Sequence, residues 1–346
     1  MSPRVEVDRI GGCAVITLDR PEAINALGRD MIDAIAGALA QWQNDPEVRL
    51  VLFEGRGPRG FCSGGDVKAV RGLVLEGRHA EADAYFAAEY AMNGLIAHYP
   101  KPVAVLSHGV VMGGGIGIAG HCRYRFTTPN ARFAMPESAI GFFCDVGVNA
   151  ILARAPLHRA LAFALSGVPV GAADALALGL ADCVIDEARH DVVRSAIIEA
   201  AGSADIDAAL THLMQREMTP MGEAPFCAAV DRLAGIDWAI LEEAVAALAA
   251  EPVTAVAAQR SPTSLVAIHQ SHTASRALAD VREVLALDLA FSRLLSRTPD
   301  FAEGVRAVLV DRDQSPRWSP QTVAAVASAG FASAIAALSP AGSAGT

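Results

Sequence analysis

Two carboxylates eight residues apart, Glu137 and Asp145, stand in an otherwise apolar stretch with Ile140, Phe142 and Phe143. A carboxylate among residues that bury is costly unless it is paired or functional, and burial raises its pKa toward the working range of an acid or base. An N-cap with a structural ion pair is the plain alternative for the same two residues. Upstream, two glycine turns can offer backbone N–H groups. Phe61-Cys62-Ser63-Gly64-Gly65-Asp66-Val67 leaves a strand through two glycines, so a ligand can reach its amides with no Cβ in the way. Met112-Gly113-Gly114-Gly115-Ile116-Gly117 follows the apolar run Val103–Ser107 and opens a helix, whose free N–H groups suit an anion or a developing oxyanion. An ordinary turn explains the first motif almost as well, and close helix packing the second. The second is not the dinucleotide fingerprint, because Ile118 stands where the last glycine belongs. Taken together, the turns and the carboxylates describe an oxyanion hole with an acid–base pair.

Other reactive side chains carry weaker cases. Cys62 and Cys144 have no histidine nearby in sequence to make a thiolate. Ser63 lacks the Gly-x-Ser-x-Gly elbow of a nucleophilic serine. His269-Gln270-Ser271-His272 and His121-Cys122 have loosely metal-like spacing but no further ligands; they read as helix-surface residues, and no metal is expected.

The elements that must position these groups alternate. Val5–Ile10 and Ala14–Leu18, split by Gly11-Gly12, read as a hairpin, and Met31, Ile32, Ile35, Leu39 and Trp42 recur at helical spacing. Leu50–Glu54, Val103–Ser107, Tyr124–Thr127, Arg132–Ala134 and Cys183–Ile185 read as strands, with helices over 82–97, 113–119 and much of 147–178. This alternation implies an α/β core of ββα-like units. Nearly everything later reads as amphipathic helix: 192–201, 206–217, 226–233, 238–249 and 277–295. The expected organisation is an α/β core with the active site over 1–200, a helical region over 201–320 and an Ala/Ser/Gly-rich tail over 321–346.

Composition bounds the partners. Of 346 residues, 52% are apolar and 19% charged, as in a globular protein with an ample core. The net charge of −10 argues against nucleic-acid binding, so a polyanionic ligand would need a local cluster of Lys or Arg. No signal-length apolar run opens the chain and no stretch reads as a membrane span. The six scattered cysteines read as reduced, buried thiols of a cytoplasmic protein.

The glycine turns and the carboxylate pair, in this order, resemble the crotonase (enoyl-CoA hydratase/isomerase) superfamily over about residues 5–186. The resemblance implies a hole for a thioester carbonyl with Gly65 and Gly114 as its N–H donors, and Glu137 and Asp145 as the acid–base groups. Hydratases use a second glutamate three residues after the middle glycine, where this chain has Gly117, so hydration is disfavoured. The Glu/Asp spacing is shared by dienoyl-CoA isomerases and by the 3-hydroxyisobutyryl-CoA hydrolase family. The flanking residues favour the hydrolases: Ala134–Gly141, Ser261–Leu265 and Phe301–Trp318 resemble that family, as does Glu89-Tyr90-Ala91-Met92-Asn93, whose glutamate lies at the substrate there.

This second resemblance spans about residues 5–318 and implies hydrolysis of a short branched 3-hydroxyacyl-CoA to CoA and the hydroxy acid, as in valine degradation. Isomerisation or hydration of an enoyl-CoA or dienoyl-CoA is the alternative. Coenzyme A is then part of the substrate, with no separate cofactor. Gly64, Asp66, Val67, Lys68 and Glu89 are the expected substrate-binding residues, with Lys68 and Arg71 nearest in sequence to meet the nucleotide phosphates. Glu137 either attacks the carbonyl or activates water. The family's usual C-terminal helix contacts imply a homo-oligomer. Two departures stand out: Cys144 replaces a usual proline before Asp145, and Val148-Asn149 replaces a small pair. With Ile140, Phe142 and Phe143, Val148 implies a small pocket wall, closed to acyl chains beyond about six carbons.

Overall fold

Gly11 takes φ +59 and lets the chain reverse between β1 (Val5–Ile10) and β2 (Cys13–Leu18), which pair antiparallel. The computed structural model describes residues 4–338, so the end of the expected tail, from 339, lies outside the described residues. Two compact units emerge: one from residues up to Asp66, Ala91–Ala134 and Pro169–Ala228, the other from Val67–Tyr90, Met135–Val168 and the chain from Ala229 onward.

The first unit holds every strand among the described residues. β3 (Leu50–Gly55), β4 (Gly60–Cys62), β5 (Val103–Ser107), β6 (Val110–Met112), β7 (Tyr124–Thr127), β8 (Arg132–Ala134) and β9 (Cys183–Val184) follow the hairpin. They sort into a six-stranded sheet, β1-β2-β3-β5-β7-β9, and a three-stranded sheet, β4-β6-β8. Apart from the hairpin, all pairings between these strands are parallel. Each of β3, β5 and β7 passes directly to a strand of the small sheet, which is the repeated ββα pattern that the alternation implied. Parallel strands are buried on both faces, which explains their near-continuous apolar runs. One face places Val15, Leu52, Leu106 and Phe126 in a common core with Val193 and Leu210 from the helices His190–Ala200 and Ile206–Glu217.

The strands β4 and β6 escaped the sequence reading, since glycines adjoin both, Gly60 in β4 and Gly109 and Gly113 around β6, and such stretches read as turns. Asn25 holds β4 in place. Its buried amide nitrogen donates to the carbonyls of Arg56, Gly60 and Phe61 at 3.1, 3.3 and 2.9 Å.

The second unit is helical among its described residues. Its longer helices include Leu157–Ser166, Leu241–Ala250, Pro262–Ser275 and Val281–Leu295, together with the first part of His79–Ala97. The helix expected over 277–295 starts at Val281, because Asp280 caps it: its side chain accepts from Arg282 N at 2.7 Å, and Glu283 accepts in return from Asp280 N. The helix Pro262–Ser275 is buried on several sides, so it shows no amphipathic stripe to read. Aromatic rings form the core of this unit. Phe142 stacks on Phe86 at 5.0 Å and lies against Phe301 at 5.5 Å, while Phe143 meets Phe291 at 5.5 Å. The two phenylalanines expected on a pocket wall are both buried in these ring contacts.

Candidate active site

The first unit brings the two glycine motifs together. Ser63 N donates to Ile24 O at 2.9 Å, Leu27 N to Gly64 O at 2.8 Å and Asp66 N to Leu27 O at 2.9 Å, so the turn after β4 is held against residues 24–27. Gly64 has φ +105, which L-residues avoid, and a Cβ there would lie 3.2 Å from Met112 O and 3.5 Å from Gly114 N. Gly115 packs the helix Gly114–Ala119 directly on β4, its missing Cβ falling 2.5 Å from Cys62 O. Close packing therefore accounts for Gly115. It does not account for Gly65 and Gly114, whose N–H groups have no acceptor among the described residues. Such unspent amides on adjoining turns are what a developing oxyanion needs. Asp66, expected at the substrate, has its carboxylate on Arg20 Nη1 at 2.9 Å.

The second unit gathers the acids. Pro136 starts a short 3-10 turn, Pro136–Ile140, that carries Glu137. Close contact seats this turn: a Cβ on Gly141 would fall 2.1 Å from Asp300 O, and one on Gly304 2.4 Å from Ile140 C. Asp145 lies eight residues on, at the start of the tight segment Asp145-Val146-Gly147, and its Oδ2 accepts from Tyr90 Oη at 2.7 Å. Tyr90 follows Glu89 on the helix His79–Ala97. Glu89, Glu137 and Asp145 are 2%, 7% and 6% exposed, and Asp288 is fully buried. Among the described residues none of the four has a cationic partner, so the ion-pair alternative does not describe them.

Burial without a counter-charge dictates their protonation. It lifts Glu137 well above the usual carboxylate range, and the charge of Asp145 lifts it further; the same two causes raise Glu89 and Asp288. Asp145 is pushed up to about 7 by burial, and the Tyr90 hydroxyl limits the rise. Both carboxyls are thereby moved toward the range in which a catalytic acid or base works.

Other expected residues fall out differently. Cys144 is buried, and burial and the neighbouring carboxylates keep its thiol well above the ordinary range, so it is no nucleophile. His272, read as a surface residue, is fully buried: its Nδ1 lies 3.0 Å from Asn149 Oδ1, and burial lowers its pKa to about 4. Asn149, one of the two departures, in turn donates from Nδ2 to Cys144 O at 3.3 Å. Lys68 is exposed on the first turn of the helix Val67–Leu75, and Arg71 Nε is taken by Ala302 O at 2.7 Å. No group of three His, Cys, Asp or Glu side chains among the described residues can hold a metal ion. Sequence reasoning missed Asp288, a lone acid in an amphipathic helix; only its place on the buried stripe of Val284, Leu287 and Phe291 could have flagged it.

Known proteins are similar to this chain over most of its length. The enoyl-CoA hydratase/isomerase family profile matches residues 13–335. The 3-hydroxyisobutyryl-CoA hydrolase of Danio rerio is 34% identical over 92% of this chain and 86% of its own length; that of Homo sapiens is 31% identical over 91% and 84%. Among solved structures, a carnitinyl-CoA dehydratase from Mycobacterium thermoresistibile is 34% identical with a TM-score of 0.85, covering 96% of each chain. An enoyl-CoA hydratase from Rhodobacter sphaeroides is 34% identical with a TM-score of 0.87, over 96% of this chain and 97% of its own. With this match over most of its length, the chain belongs to the enoyl-CoA hydratase/isomerase family, the crotonase superfamily.

Proposed function

We propose that the chain is an acyl-CoA thioester hydrolase acting on a short branched 3-hydroxyacyl-CoA such as 3-hydroxyisobutyryl-CoA, releasing CoA and the free hydroxy acid. The observation that carries this reading is the Glu137/Asp145 pair, buried without a cation, in a chain whose curated relatives bear the name 3-hydroxyisobutyryl-CoA hydrolase. The Gly65 and Gly114 N–H groups take the carbonyl oxygen as negative charge develops on it. Glu137 either attacks the carbonyl carbon, giving a mixed anhydride that water then cleaves to the free acid, or draws a proton from a water that attacks directly; in both the C–S bond breaks and a proton goes to the leaving thiolate. Asp145, with its hydroxyl partner Tyr90, orients the substrate hydroxyl or water and assists that proton transfer. CoA enters as part of the substrate, so the scheme needs no separate cofactor. The product fits valine degradation, and the six free, buried cysteines support a reducing compartment such as the cytoplasm. No helix among the described residues is long and apolar enough to cross a membrane.

The two solved relatives named as a dehydratase and a hydratase favour a second reading, addition or loss of water at a double bond. That reading requires a second acid, and Gly117, where hydratases carry it, has no side chain to supply one. One assay separates the two. Incubation with 3-hydroxyisobutyryl-CoA and with an enoyl-CoA panel is followed for free thiol and for double-bond absorbance. Thiol release alone is expected, falling ~10²–10⁴-fold in Glu137→Gln; near-normal release by that variant would refute the assignment.

A further inference from the structure

Asp288 is a fully buried carboxylate for which the hydrolytic scheme has no step. It stands mid-way along the helix Val281–Leu295. Its Oδ2 accepts from the Gly147 N–H at 2.8 Å, across 141 residues of chain, and its buried Oδ1 has no partner among the described residues. Gly147 is the second of two successive residues in the left-handed region, Val146 at φ +54 and Gly147 at φ +73. A β-branched residue is disfavoured there, so the turn must be held from outside. Asp145 comes immediately before it. An apolar side chain would fill the space at Asp288 with less cost than an acid kept near a second acid; a hydrogen-bond acceptor is what an apolar side chain cannot provide.

We infer that Asp288 is a positioning residue, which fixes the strained Val146-Gly147 turn through the Gly147 N–H and thereby sets where Asp145 presents its carboxyl. Burial and the Asp145 charge raise the Asp288 pKa well above the usual carboxylate range, so the close replacement is the neutral asparagine, which keeps an acceptor oxygen for the Gly147 N–H. Leucine fills the space and removes the acceptor. The catalytic part of this role rests on the hydrolase reading; the hold on the turn does not.

The test uses the full chain, Asp288→Leu and Asp288→Asn. Amide hydrogen exchange at Gly147, thermal unfolding, and kcat and KM for CoA release are measured for each. In Asp288→Leu, Gly147 exchange is expected to speed up and kcat to fall ~10–100-fold with KM within about threefold, as for a misplaced catalytic group. The unfolding temperature should change little, since the gain from removing a buried acid offsets the cost of leaving the Gly147 N–H without an acceptor. Asp288→Asn should restore Gly147 protection and recover most of kcat. A merely structural hydrogen bond would instead lower the unfolding temperature of Asp288→Leu and leave its kcat alone. That result, or an Asp288→Asn as slow as Asp288→Leu, overturns the inference. If the unaltered chain releases no CoA, the hydrolase reading fails, while loss and recovery of Gly147 protection still decide whether Asp288 holds the turn.

Discussion

In the strand-built unit, the groups that point to chemistry are backbone amides; in the helical unit they are side-chain carboxyls. Gly65 and Gly114 offer N–H groups that carry no titratable proton, and their placement follows from β4, β6 and the closeness of Gly64 to Gly114. Glu89, Glu137, Asp145 and Asp288 carry carboxyls whose charge depends on burial and on neighbouring acids. The amide donors of the first unit are therefore sensitive to added volume nearby and have no charge to titrate, whereas the carboxyls of the second respond to pH. A preorganised dipole costs nothing to recharge, whereas a buried acid must be poised by its surroundings.

The largest expected break of this contrast is Gly64→Ala. Its Cβ meets Met112 O at 3.2 Å in a backbone conformation that L-residues avoid, so the Gly65 and Gly114 amides must shift. A fall of ~10²–10³ in kcat, as for loss of one oxyanion donor, is expected with an unchanged pH profile. A shifted profile would show that the two kinds of group are not separable.

Asp145→Asn probes the other unit through stability. The folded pKa of Asp145 is raised from 3.8 to about 7, so its stabilising contribution is fully present below about pH 4 and is lost as pH rises through about 7. Urea unfolding across this range should show the unaltered chain losing on the order of a few kcal/mol that Asp145→Asn does not lose. His272 has the opposite sign. Its pKa is depressed from 6.5 to about 4, so its contribution is present above about 6.5 and lost as pH falls through about 4. The two slopes oppose each other, and His272→Gln should gain more stability on acidification from pH 6.5 to 4 than the unaltered chain does. An identical slope would mean that His272 takes no part in this balance.

The smallest effect is expected at Asp280. Asp280→Ala removes the cap of the helix that carries Asp288 and should cost about 1 kcal/mol in thermal unfolding, with kcat unchanged. A drop in kcat would extend the positioning role from Asp288 to the whole helix.

Much of the frame was legible because its signals are local. Gly11-Gly12 marks the hairpin, the stripe of Met31, Ile32, Ile35 and Leu39 marks a helix, and the apolar runs of β3 and β5 mark buried parallel strands. The helix over Ile206–Glu217 was read to the residue, because Asp205 caps it and Leu210 and Leu213 keep its period. β4 and β6 were not legible beside the glycines that adjoin them, nor was the extent of Pro262–Ser275, whose burial leaves no polar face.

By itself the sequence determined the candidate chemistry: glycines where amides must be approached, and Glu137 and Asp145 set among apolar neighbours. Those are properties of residue type and spacing over a few positions. Only the tertiary structure decided what surrounds them. It brought Tyr90 to Asp145 across 55 residues and Asp288 to Gly147 across 141, buried His272 against Asn149, and sent Phe142 and Phe143 into the core. A lone acid on a helix and a histidine among serines look like surface residues until the chain folds, because protonation and hydrogen bonding at these sites are set by partners distant in sequence.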